Sequence, residues 1–499
     1  MKKQRKVGSP YTIDGYLPLR QAIPLGMQHV LAMFIGNITA PLVVCAACGI
    51  QGGSSLMIVI LQNAMLVAGL TTLLQLYPIW KAGARLPIVM GCSAGYIGVY
   101  LSISNLVGGG LESYSIILGA TLLGGCVEIV IACFYHKVKK LFPPLVIGTV
   151  LTAVGVSLVP IAINSFAGGS GAADYGSAPN LIIAFVVFAV GLAFSRFGKG
   201  MARSCGMLIG ILVGYIMAAI MTACLPTTVM YTDAATGAVS EVAASWAMDW
   251  SSVAEASWFS LPKLMPVPLK FDLRAILPIC LIYVSMTIES MASINAITEV
   301  GLGRRVKNKE MVGGLICDAI GSSGAAVFGV LPNTTFNQNV GLVNMTKIVN
   351  RFSVATGAIF LCLCGFLPKL VALVSIMPDA VLGGATVLMF GQILCGGIAL
   401  IAKSGFTGRA NTIVAASIGL GFGLGSDAAA MVGFPDFIQL VVGGSGIIPC
   451  AVLAILLNVI LPKEKEDKEI DAAIAAAEEA EMRAAAEAVA AVTQEHQTE

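Results

Sequence analysis

The chain has 499 residues, 57% of them hydrophobic and only 11% charged, with a net charge of +2 and a mean hydropathy of +0.88. Soluble domains carry about 25% charged residues, so this composition excludes an ordinary soluble domain and indicates a polytopic membrane protein. The only histidines are His29, His136 and His496, and the 13 cysteines lie mostly inside apolar runs, as Cys45, Cys126, Cys280 and Cys362 do. That pattern gives neither a metal-ligand spacing nor a disulfide framework, and no metal or other cofactor is expected.

Apolar runs of about 20 residues mark membrane spans. In chain order they fall near 23–45, 54–78, 87–105, 114–135, 142–163, 179–196, 205–225, 273–297, 312–330, 335–348, 352–376, 378–401, 410–425 and 435–461. Met1 to Val7 is basic but the first long apolar run begins only near Ile23, so a cleavable signal is not expected. Lys and Arg cluster at the N-terminus, at Lys81 and Arg85, at 137–140, at 196–203, at 304–309, at Lys347 and Arg351, and at Lys403 and Arg409. Fourteen spans put all of these on one side, and the positive-inside rule makes both termini cytoplasmic in a cell inner (plasma) membrane. Between the seventh and eighth spans, 226–272 holds Trp246, Trp250 and Trp258, an external lid or interfacial hairpin, with an unstructured loop as the alternative. The Ala- and Glu-rich tail, 463–499, reads as a solvated cytoplasmic helix without assigned chemistry.

Seven spans precede the long loop and seven follow it. An odd number per half inverts the second half relative to the first. The expected fold is therefore an all-α membrane protein of 14 segments in a 7+7 inverted repeat, with short extended pieces in the third and tenth elements. Those two elements are the interrupted ones: Leu86 to Gly95 (LPIVMGCSAG) and Leu331 to Gly341 (LPNTTFNQNVG). Paired Pro/Gly breaks at corresponding positions are the sequence pointer to a binding site at the membrane midplane. Pro332 forbids a continuous helix. The second break reads as an extended piece near Asn333 to Phe336, then a short helix from near Gln338.

Polar residues inside spans are costly unless they face protein or a cavity. Gln28 and His29 lie in the first span, Glu289 well inside the eighth and Asp318 in the ninth. Glu289, with few basic partners at that depth, is the sharpest site candidate. Asp318 is a carboxyl that could exchange a proton in a coupled carrier, or one merely satisfied by Ser322, Ser323 or backbone. Glu128, in the fourth span, is expected to snorkel or to pair with His136 or Lys137.

The run Gln338-Asn339-Val340-Gly341-Leu342-Val343-Asn344-Met345-Thr346-Lys347 resembles the signature of the nucleobase–ascorbate transporter (nucleobase:cation symporter) family. That signature is Gln, Glu or Pro, then Asn, any residue, Gly, four of any kind, Thr, and Arg, Lys or Gly. Phe142 to Gly148, Leu367-Pro368-Lys369 and Met377 to Gly384 extend the likeness over most of the apolar chain. The resemblance implies substrate contacts from Glu289, Gln338, Ser93, Ala94 and Asn339, with His29, Asp318, Gln28, Gly341 and Thr346 supporting geometry or proton coupling. It also implies a core of 1–138 and 273–376, a gate of 139–225 and 377–462, and a homodimer through the gate. Gln at 338 matches xanthine and uric acid carriers, whereas uracil carriers have Glu there and ascorbate carriers Pro. Two positions depart from the pattern: Ser293 replaces an aspartate common four residues after the binding glutamate, and Ala94 replaces an aromatic after Ser93.

The expected function is import of an oxidised purine base, xanthine or uric acid, by alternating access. The drive would be a proton gradient, with sodium as the other candidate, since no phosphate-binding loop couples the chain to ATP. The alternatives are a uracil or other nucleobase permease, and an anion exchanger or channel on the same fold. A membrane enzyme finds no nucleophile–base constellation.

Overall fold

In the computed structural model of the chain, the residues described are 8–138, 141–169, 172–199, 201–204, 206–232, 239–434, 442 and 446–470, with 472, 473, 476 and 480 of the tail. The side chains of a few helical residues within these ranges, Gln338 among them, lie outside the description, as do the surroundings of Gly341. In chain order the main elements of the first half are α1 (Leu19–Ala47), α2 (Ser55–Leu76), β1 (Met90–Cys92), α3 (Ile97–Val107), α4 (Gly110–Cys133), α5 (Pro144–Phe166), α6 (Ala178–Phe197) and α7 (Gly206–Cys224). The connecting loop carries β2 (Thr228–Thr232) and β3 (Val239–Ala243). The second half comprises α8 (Leu273–Ala296), α9 (Asn308–Val327), β4 (Asn333–Thr335), α10 (Asn337–Thr346), α11 (Arg351–Cys364), α12 (Pro368–Ser375), α13 (Asp379–Lys403), α14 (Gly408–Ser426) and α15 (Ile447–Ile460).

Local chemistry sets several of these boundaries. Ser54 caps α2 by accepting from Met57 N at 3.3 Å, and Asn350 caps α11 by accepting from Ser353 N at 3.1 Å. Pro144 occupies the first turn of α5, where its missing N–H would have no partner anyway. Among the described residues eight helices are long and apolar enough to cross a membrane, and a ninth is added if α11 and α12, bent by 85°, form one span. Length and composition therefore stop short of the fourteen spans read from sequence. The third and tenth elements are broken, α9 opens with polar Asn308, Lys309 and Glu310, and the last span begins in residues outside the description.

The two broken elements meet. β1 and β4 form an antiparallel pair in the register Met90–Thr335, Gly91–Thr334 and Cys92–Asn333, extended by Phe336 N donating to Val89 O and Ser93 N to Pro332 O, both 3.0 Å. The other two strands form a hairpin in the 226–272 loop, which buries Trp246 and leaves Trp258 exposed. The helical start of the tail is docked rather than wholly solvated: Asp467 is buried and accepts from Thr407 Oγ1 at 2.5 Å.

The helices pack in two sets. One joins α1, α2, α4, α8, α9 and α11 around the strand pair, and the other joins α5, α6, α7, α13, α14 and α15. Lipid is as apolar as a leucine side chain, so close backbone approach rather than water exclusion must hold such helices together. The crossing of α5 with α13 shows the means. A Cβ on Gly155 would sit 2.6 Å from Leu394 Cα, and one on Gly397 would sit 2.4 Å from Thr152 N. Gly155→Leu is expected to force these helices apart and to cost about 1–3 kcal/mol through overpacking. A lowered melting temperature and reduced yield of the detergent-solubilised protein are the readouts; an unchanged melt would place the contact elsewhere.

Candidate functional site

A strand pair at membrane depth leaves outward-facing backbone groups that hydrocarbon cannot satisfy. Neighbouring side chains take them. Asn37 on α1 accepts from Cys92 N at 2.8 Å, and Thr72 on α2 accepts from Met90 N at 2.9 Å. Ser322 on α9 donates to Asn333 O at 2.6 Å, and Asn333 Nδ2 donates to Thr71 Oγ1 at 3.2 Å. Ser93 then caps the turn leading into α3 by accepting from Gly95 N at 3.2 Å, and Phe336 is the N-cap of α10. Both half-helices thus start at the strand pair, with their positive ends directed toward one place.

That place is a cavity of about 40 Å³. On one side it is lined by Ser93, Ala94, Glu289, Thr334, Thr335 and Phe336, with Gly36, Cys92 and Gly95; on the other by Val154 of α5 and Met389 and Ile393 of α13. It lies between the two helix sets, and among the described residues its lining contains one carboxylate and no cation. Glu289 is buried. Successive helical residues point about 100° apart, so Ser290, next to Glu289, turns the other way. Its hydroxyl donates to Asp318 Oδ2 and lies 2.9 Å from Thr334 Oγ1, which also reaches Asp318 Oδ2 at 3.3 Å. Asp318 therefore stands behind the cavity wall, joined to it through two hydroxyls.

The residues singled out from sequence divide accordingly. Ser93, Ala94 and Glu289 line the cavity. Asn339 is buried outside that lining, its Nδ2 donating to His29 O at 2.9 Å and standing 3.1 Å from His29 Nδ1. With the amide hydrogens so used, Nδ1 accepts and the ring proton of His29 sits on Nε2. This pair fastens α10 to α1. Gln28, half-buried, is not among the lining residues. Thr346 back-bonds to Leu342 O at 2.8 Å and accepts from Ile348 N at 3.3 Å, finishing α10 rather than facing the cavity. The side chain of Gln338 and the surroundings of Gly341 lie outside the described residues.

Glu128 departs from expectation. It is buried, not snorkelled, and faces Asp318 and Thr287. Gly124 and Gly125 are the cause: they bring α4 so close to α8 and α9 that added Cβ atoms would lie 2.3 Å from Tyr283 Cε2 and 2.0 Å from Ser323 Oγ. The next turn of α4 is thereby turned into the protein. Thr335 is one of the lining residues that sequence reasoning passed over. Its Oγ1 is buried without a hydrogen-bond partner among the described residues, which leaves a hydroxyl for a ligand.

Residues 20–428 match the sequence profile of a group described as the Permease family, the nucleobase–ascorbate transporters. The chain belongs to the nucleobase–ascorbate transporter family. It is a multi-pass membrane permease, and the family is one of transporters rather than enzymes. The uric acid permease PucK of Bacillus subtilis is 32% identical over 443 residues, covering 88% of this chain and 95% of the relative. The xanthine permease of Bacillus subtilis is 30% identical over 453 residues, covering 90% and 96%. Among solved structures, the transmembrane domain of the cyanobacterial bicarbonate transporter BicA has the same fold, with a TM-score of 0.52 at 13% identity, covering 89% of this chain and 98% of that one.

Thr335→Val keeps the side-chain shape and sacrifices no hydrogen bond among the described residues. It is expected to leave the melting temperature unchanged and to weaken ligand binding by the worth of one hydrogen bond, about 0.5–1.5 kcal/mol or a 2–10-fold rise in Kd. Isothermal titration or a binding-induced shift in melting checks both; an unchanged Kd would remove Thr335 from the site.

Proposed function

We propose that this permease carries an oxidised purine base, xanthine or uric acid, together with a proton, by alternating access. The observation that carries the reading is the cavity itself. Glu289 and two half-helix starts converge on a space bounded on one side by the strand pair and on the other by α5 and α13. A flat heterocycle with adjacent N–H and C=O groups suits such a lining: the carboxylate accepts from ring N–H, while Thr335 Oγ1 and the backbone near Ser93 serve as donors or acceptors. Gln at 338 supports the same class, because an amide both donates and accepts. The named activities of the uric acid and xanthine relatives agree with it.

Movement of the set containing α1, α8 and the strand pair against the set containing α5 and α13 would open the cavity to one side and then the other. In this reading the first set is the core and the second the gate. The anion-exchange alternative takes support from the fold shared with a bicarbonate transporter. The lining argues against it, since Glu289 is the charged group among the described lining residues and an ionised carboxylate there repels an anion. The same argument ranks the purines. Xanthine is largely uncharged near neutrality whereas uric acid is largely ionised, so uric acid needs a proton to enter beside it.

Glu289→Gln places an N–H where the ring N–H needs an acceptor, and loss of a charged hydrogen bond costs about 1.5–3 kcal/mol. Uptake of labelled xanthine by permease-deficient cells is expected to fall at least tenfold with unchanged surface protein, and unlabelled uric acid, but not bicarbonate or sulfate, is expected to compete in the parent. Wild-type rates in the variant, or competition by the inorganic anions, would overturn the assignment.

A further inference from the structure

Behind the cavity, α4 and α9 place two carboxyl groups face to face in the interior. Glu128 and Asp318 are both buried, each 2% exposed, and the two side chains interact directly. The groups around them are a short set. Glu289 and Tyr283 approach from α8, Tyr96 from the turn before α3, and Cys317 lies beside Asp318 on α9. The strand pair contributes Thr334, and α8 contributes Ser290 and Thr287. None of these carries positive charge, and no ion pair to either carboxyl exists among the described residues. Glu128 Oε1 and Asp318 Oδ1 are left without a hydrogen-bond partner among those residues.

Two carboxylates cannot stand together in an apolar interior without a proton between them, because repulsion and desolvation add. We infer that Glu128 and Asp318 form an acid pair that holds one proton, and that this pair, rather than a single carboxyl, is the coupling site of the carrier. The inference rests on the proton-coupled reading above and adds to it a residue on α4. The path to the cavity is already drawn: Asp318 Oδ2 accepts from Ser290 and Thr334, Thr334 lines the cavity, and Ser290 adjoins Glu289 on α8. A substrate that draws on Glu289 or Thr334 changes the donors available to Asp318, and so changes how firmly the pair keeps its proton. By linkage, a proton held more firmly in the loaded state makes substrate bind better as pH falls.

The test uses the full chain in proteoliposomes, with labelled xanthine. A pH difference of one unit drives about tenfold accumulation for each proton carried. Wild type is expected to approach that ratio and Glu128→Gln to remain near one, while exchange of internal for external xanthine persists in both. Infrared spectra are expected to show a protonated-carboxyl C=O band that Glu128→Gln removes. Should Glu128→Gln fail to reach the bilayer, Asp318→Asn makes the same comparison. Accumulation by Glu128→Gln at the wild-type ratio overturns the acid pair and leaves the carrier intact. Wild type that exchanges xanthine but accumulates none under the pH gradient overturns the pair and the proton coupling together. If wild type exchanges no purine at all, the substrate reading fails. The infrared band then decides the pair alone: its loss in Glu128→Gln supports a shared proton, and its persistence or absence in wild type rejects one.

Discussion

A backbone amide inside a membrane must find a partner within the protein. The arrangement of this molecule follows from two places where that requirement cannot be met by a helix. The tenth element breaks at Pro332 and the third within Leu86 to Gly95, and the exposed backbone is satisfied by pairing one break with the other. The outer edges of the pair are then covered by Asn37, Thr72 and Ser322. Polar side chains on α1, α2 and α9, which would be a liability facing lipid, are in this way obligatory partners.

Once the strand pair is fixed, the cavity's chemistry is largely determined. Two helices must begin beside it, their free N–H groups aimed at a common space. The facing helix α8 supplies Glu289 to the cavity and Ser290 to the layer behind. Acidic groups are graded in depth from Glu289 in the lining to Asp318 and Glu128 behind the wall, with Ser290 and Thr334 between. Positive charge stands elsewhere, as at Arg351, which is held by Asp14 and donates to Leu76 O at 2.5 Å.

What could be read from the sequence were the costs. Pro332, Glu289 and Asp318 each violate a rule for lipid-facing helices, and each violation marks a position of consequence in the fold. The extended piece at 333–336 and the helix after it follow from proline geometry, and the signature from Gln338 to Lys347 pointed to the family that the comparisons established. Direction was not readable. Asn339 turns to His29 because of how α10 rotates against α1, a tertiary choice invisible in spacing. Glu128 was assigned to sequence neighbours because only those are visible along a chain; its structural neighbour is 190 positions away by number, reached through the Gly124–Gly125 contact. Val154, Met389 and Ile393 carried no signal, since an apolar residue that faces a cavity looks like one that faces lipid. Span number suffered for a related reason: broken and polar elements fail the length and hydropathy that define an ordinary span.

The antiparallel pair also bears on how the protein is made. The partners Cys92 and Asn333 are 241 residues apart, so β1 reaches the bilayer well before its complement has been synthesised. Chains emerge from the ribosome at about 5–20 residues per second, which leaves β1 half-paired for many seconds. Asn37 and Thr72, both earlier in the chain than β1, can occupy the amides of Cys92 and Met90 during that interval. The other edge of β1 stays open until β4 arrives. The first half of the molecule is thus a waiting template, and assembly of the cavity is a late event of biogenesis that no isolated half can reach.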